Sequence, residues 1–162
     1  MPPLYVDADE VLSAPLYAFA GLLIGLPLVD FVTSVLPVSV SNIQWRFATV
    51  GLLSNFLMTP MIGMGILIVV AAVREHLVFQ RLLATTNGLI VLLLTAVLVF
   101  FALDIVQLNA MIPPEGLKSF QNAAFKAIVK YLASILVLTW LTAAGWRVSS
   151  WRASRRRTAR VG

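Results

Sequence analysis

Two uncharged stretches constrain the fold of this chain more than any other feature. Residues 47–73 read FATVGLLSNFLMTPMIGMGILIVVAAV, 27 residues without a charge, and residues 82–103 read LLATTNGLIVLLLTAVLVFFAL, 22 without one. A hydrocarbon core of ~30 Å is crossed by ~20 helical residues rising ~1.5 Å each, so both stretches are long enough to span a bilayer. The eight residues between them, 74–81, are too few to cross back. The pair therefore reads as a helical hairpin through a membrane, because a backbone in lipid must satisfy its polar groups within the segment.

Composition extends this to the whole chain. Of 162 residues, 60 % are hydrophobic and 12 % charged, about half the charged share of an ordinary soluble domain. Residues 11–36 and 119–146 supply two further apolar segments, so the expected fold class is an all-α integral membrane protein. Its four transmembrane helices, about 11–36, 47–73, 82–103 and 119–146, form a single bundle domain over residues 1–146. The fourth helix is extended outside the membrane by an amphipathic segment in which Lys118, Asn122, Lys126 and Lys130 recur at steps of four, a polar stripe on one helix face. Its uncharged part is slightly short for a bilayer, so Lys126 and Lys130 are expected to reach toward the interface. Residues 147–162 form a basic tail. The N-terminal segment MPPLYVDADE has no Lys or Arg, which makes it a poor signal-peptide start, so the first span is expected to be retained.

Charge placement orients the bundle. With four spans, residues 74–81 and the tail lie on one side with eight basic residues; Arg46, Lys118, Lys126 and Lys130 lie on the other. Eight against four places both termini in the cytoplasm. Arginine outnumbers lysine nine to three, which fits a bacterial chain and hence a bacterial inner membrane.

Several chemistries are excluded by residue type. There is no cysteine, so disulfides, thiolate metal sites and four-span thiol oxidoreductase chemistry are out. A single histidine, His76, sits in a link and cannot supply paired haem ligands. The four-span small multidrug exporters depend on a glutamate inside the first span, and this chain has none there. Residues 81–87 share with the membrane glutathione-type transferases an Arg, an Ala and an Asn. They lack that family's second Arg and final Glu, so its activity does not carry over. No cofactor and no metal site is expected.

Four groups remain as candidate functional residues. Asp30, Arg46 and Asp104 fall near one interface and form a candidate ion pair, with Asp30 favoured as the partner of Arg46 because a short loop joins them. Gly21 and Gly25 form a small-xxx-small face and Met58, Met61 and Met64 a stripe at steps of three; both suit helix packing, within the chain or against a partner. Pro27 and Pro60 are expected kinks, and Asn55 and Asn87 would supply the polar lining in a transporter or channel. Arg147, Arg152, Arg155, Arg156, Arg157 and Arg160 would attract anionic lipid at roughly 1 kcal/mol each, and nucleic acid is not an expected partner.

The expected function is a non-enzymatic accessory, scaffold or assembly subunit of a larger membrane complex, joined to other membrane subunits or to itself. The alternatives are an oligomeric small transporter or channel subunit, then a small membrane-embedded enzyme. Whether Asn55 meets a cavity or a close-packed seam separates the first two.

Overall fold

The computed structural model describes residues 8–158, with side chains described over residues 13–151. Five helices follow in order: α1 (Ala8–Ser34), α2 (Ile43–Phe56), α3 (Met58–Val73), α4 (Leu77–Asn109) and α5 (Pro114–Thr158). Among the described residues there is no strand. α1, α4 and α5 are each long and apolar enough to cross a membrane, and α2 with α3 passes the same test as one span bent by 43°. The chain is an all-helical membrane bundle with three to four candidate spans.

The bend has a local cause. Pro60 has no N–H for the carbonyl of Phe56, four residues earlier, and its ring crowds that carbonyl. The helix therefore breaks at Leu57 and restarts at Met58. The next amide rejoins the ladder, with Met61 N donating to the Leu57 carbonyl at 3.2 Å. Pro27 does not interrupt its helix: α1 runs as one helix through Pro15 and Pro27, as a membrane helix held by its neighbours can be.

The helices overrun the uncharged stretches, because absence of charge marks what lipid tolerates and not where a helix stops. The link at 74–81 shrinks to Arg74, Glu75 and His76. Glu75 adopts φ 56°, the left-handed position of a Schellman turn. The Glu75 amide donates to the Ala72 carbonyl at 3.2 Å and the His76 amide to the Ala71 carbonyl at 3.1 Å, closing the last carbonyls of α3. At the other end Asn42 caps α2, its Oδ1 accepting from the amides of Gln44 at 2.8 Å and Trp45 at 3.2 Å. α5 opens with Pro114 and Glu115, a proline where no N–H is needed and an acid at the positive end of the helix. It then runs unbroken through the stretch read as a tail, so that stretch is helical to Thr158.

Two seams organise the bundle. α4 and α5 run antiparallel, and a Cβ on Gly145 would stand 3.2 Å from that of Ala84. α1 lies against α3, where a Cβ on Gly63 would stand 2.8 Å from both the Ala20 carbonyl oxygen and Ile24 Cγ1. Small residues at such crossings let backbones approach and pack by dispersion, which is what holds helices together in lipid. The core has two parts. Met64, Ile68, Ala71 and Leu83 pack with Ile24 and Leu141; Leu94, Tyr131 and Leu138 pack with Val50, Leu53 and Met61.

Candidate functional site

The end of the bundle carrying the N-terminus of α2 holds the polar machinery. Arg46, one turn into α2, meets Asp104 of α4 through two hydrogen bonds: Nε donates to Oδ2 at 3.2 Å and Nη2 to Oδ1 at 2.8 Å. The Asp104 side chain is 10 % exposed and that of Arg46 39 %. A paired fork of this kind is stronger than a single contact and fixes orientation. Arg46 also donates to the Val40 carbonyl at 3.5 Å, tying the loop to the pair. Asp30 does not take part. It is exposed near the end of α1, and among the described residues it forms no ion pair. The expectation that it holds Arg46 is corrected: chain proximity through the loop matters less than the facing of Asp104, which shares its buried face with Phe101 and Leu108.

Below this pair lies a pocket of about 340 Å³ between α2 and α5, with α4 behind it. Phe47 and Phe101 form one wall, their rings stacked at 5.1 Å. Gly51, Ser54 and Ala127 form the floor, and Asn55, Lys126 and Lys130 stand at the rim. Lys130 donates to Asn55 Oδ1 across the pocket. Its ammonium thus turns sideways to an amide on the broken span. Beside it, Tyr131 donates its hydroxyl to the Val50 carbonyl at 3.0 Å and packs its ring 6.4 Å from that of Phe101. Phe101 is eight residues inside the α4 terminus at Asn109, ~12 Å by helical rise, so Lys130 sits well inside the bundle's length. Lys126 and Lys130 form no ion pair among the described residues.

A second polar set lies deeper, on α4 toward α5. Gln80, Ala84 and Asn87 share a buried face. Gln80 Nε2 donates to the Gly145 carbonyl at 3.4 Å, but Gln80 Oε1 and both polar atoms of Asn87 are buried without a partner. Asn87 is thus enclosed and not part of the pocket that Asn55 lines.

The packing residues separate. A Cβ at Gly21 or at Gly25 would meet nothing within 4 Å, so this small-residue face makes no close seam among the described residues. The bundle side of α1 runs through Ala20, Ile24, Pro27 and Phe31, and the glycines lie one residue round the helix from it. Met58 is exposed, Met61 half-buried and Met64 buried, because a step of three drifts round a helix of 3.6 residues per turn. Arg147 is exposed. Arg160 lies outside the described residues, as do the side chains of Arg152, Arg155, Arg156 and Arg157. Among the described residues no three His, Asp or Glu side chains gather as a metal-holding group. His76 Nδ1 lies 3.4 Å from the Tyr17 hydroxyl, a bond between α1 and the turn.

Gly63, Gln80 and Tyr131 are the residues sequence reasoning passed over. Gly63 carried a signal, a glycine between Met61 and Met64 on an apolar helix. Tyr131 follows the three-and-four spacing of Leu117, Phe120, Ala124 and Ile128, which marks an apolar face and no hydrogen-bond partner. No family model, no curated protein and no solved structure matches the chain, so function has to be argued from the site itself.

Proposed function

We propose that the chain is a four-span protein of a bacterial cytoplasmic membrane, with both termini in the cytoplasm, working as the ligand-binding subunit of a small oligomeric transporter or channel. The observation that carries this is Asn55. It stands beside a break in a membrane-length helix, lines an open pocket and accepts a hydrogen bond from Lys130. Broken spans bring polar groups to ligands at membrane depth, and an ionisable residue held there is a functional candidate. The pocket lies on the flank of the bundle, so a path through the membrane needs a second chain to wall it. The eight-to-four distribution of basic residues supports the orientation.

Cysteine labelling tests the site, since the chain has no native cysteine. Ala48→Cys at the pocket and Leu92→Cys on the apolar flank of α4 are reconstituted in liposomes and treated with a water-soluble maleimide. A binding site predicts labelling at 48 at least tenfold faster than at 92. Equal, slow labelling at both positions means a sealed seam and rules the pocket out as a ligand site.

A second role, docking as an accessory subunit, is favoured by one observation: Gly21 and Gly25 leave room on α1 that nothing among the described residues fills. Mass spectrometry of the complex isolated in mild detergent separates the two, with copies of this chain alone supporting the transporter and stoichiometric foreign subunits supporting the accessory role.

A further inference from the structure

We infer that the pocket between α2 and α5 binds the acidic head group of a membrane amphiphile, a phosphate or carboxylate carried on an apolar chain. This rests on the pocket being a ligand site, as proposed above, and adds the chemistry of the ligand. The first support is the inventory of polar groups. Lys126 and Lys130 bring ammonium groups, which only donate. Asn55 Oδ1 is occupied by Lys130, which leaves the Asn55 amide N–H₂ to offer. The Ser54 hydroxyl gives its proton to the Gly51 carbonyl at 2.6 Å, and Ser54 is buried at the back of the pocket. At the exposed rim the side-chain groups on offer are the ammonium N–H groups and the Asn55 amide, donors complementary to an oxyanion that only accepts.

The second support is uncompensated charge. Asp104, three residues along α4 from the pocket's wall at Phe101, is held by Nε and Nη2 of Arg46. Two lysines one turn apart on α5 therefore share a small pocket without a carboxylate among the described residues. Like charges at this spacing repel, and charge at membrane depth is costly unless it is paired. An anion in the pocket relieves both costs. The third support is where the pocket opens. Its rim residues Ala48, Asn55, Ala123, Lys126 and Lys130 are all exposed, while its back, at Ser54, Phe101 and Ala127, is buried. The mouth therefore faces the flank of the bundle, where the neighbour of a spanning helix is lipid. About 340 Å³ accommodates a head group and the first carbons of a chain, and the stacked pair Phe47 and Phe101 gives those carbons an apolar wall.

The test reads the pocket locally, so that lipid bound elsewhere on the chain does not register. The full chain carrying Ala123→Cys is labelled with a water-soluble maleimide in neutral detergent. The arms contain dilauroyl phosphatidate, dilauroyl phosphatidylcholine or inorganic phosphate. Slower labelling with phosphatidate, and not with phosphatidylcholine, is the expected result. Adding Lys126→Gln and Lys130→Gln should raise the phosphatidate concentration needed by roughly thirtyfold, about fivefold per charge. Protection by inorganic phosphate at the same concentration as phosphatidate would overturn the amphiphile and leave a site for a free anion. Labelling that no anion slows, or protection unchanged in the double variant, overturns the inference while the pocket itself stands. Absence of labelling at 123 removes the pocket and both proposals with it.

Discussion

Arg46→Gln is expected to cost more stability than Asp104→Asn, although both break the same ion pair. The asymmetry follows from burial. Removing Arg46 strands a carboxylate whose side chain is 10 % exposed, whereas removing Asp104 leaves a guanidinium that is 39 % exposed and still within reach of the Val40 carbonyl. Breaking a fully buried pair costs about 3–5 kcal/mol, and exposed pairs contribute about 0.2–1 kcal/mol. Arg46→Gln should fall between these limits, at about 2–3 kcal/mol, and Asp104→Asn near 1 kcal/mol. The double variant removes the stranded charge and should return to a loss of about 1–1.5 kcal/mol, a coupling of about 2 kcal/mol between contacting residues. At this chain length 1 kcal/mol moves Tm by about 2–4 °C. Thermal melts of the four proteins in one detergent, followed by helical circular dichroism, give the cycle. Asp30→Asn combined with Arg46→Gln is the control and should be additive within about 0.5 kcal/mol. Additive losses in the Arg46–Asp104 double, or recovery with Asp30 in its place, would refute the pairing.

Other substitutions follow from the seams and the polar set. Gly63→Ala places a methyl 2.8 Å from the Ala20 carbonyl oxygen and should lower stability by about 1–3 kcal/mol through overpacking, measured as a loss in Tm. Gly25→Ala adds a methyl that meets nothing within 4 Å among the described residues, so the isolated protein should melt unchanged; a subunit packed closely on that glycine would be lost from the purified complex. Asn87→Leu removes two buried polar atoms without partners and should stabilise the bundle by about 1–3 kcal/mol, read from the same melts. Tyr131→Phe deletes the bond to the Val50 carbonyl and should cost about 0.5–1.5 kcal/mol.

The spans were legible because lipid imposes a rule on composition that a soluble core does not: a long uncharged stretch has few alternatives to a helix. Helix ends were not, since α4 and α5 continue as helices through residues that lipid would reject. The partner of Arg46 could have been found. Leu94, Phe101, Asp104 and Leu108 repeat at helical spacing on α4, so Asp104 faces inward, while Asp30 sits among exposed Leu28, Val29 and Val32. The glycine pair on α1 did not reveal the α1–α3 seam, because a small-residue motif names a face without naming what covers it. Ala20, one position away, is the residue that meets Gly63. The pocket depends on where Pro60 breaks the helix and on the side to which Lys130 turns, and neither can be read from spacing alone.

Whether α2 and α3 cross the membrane together as one broken span decides the architecture most directly. Single cysteines at Ser41, Val78, Ser119 and Ser150, all exposed positions, are labelled in intact cells with an impermeant thiol reagent and again after permeabilisation. A four-span bundle with cytoplasmic termini predicts labelling at 41 and 119 from outside, and at 78 and 150 only after permeabilisation. Labelling of 41 and 78 from the same side would show that α2 and α3 dip in and return, leaving three spans and contradicting the four-span bundle on which the pocket's role depends.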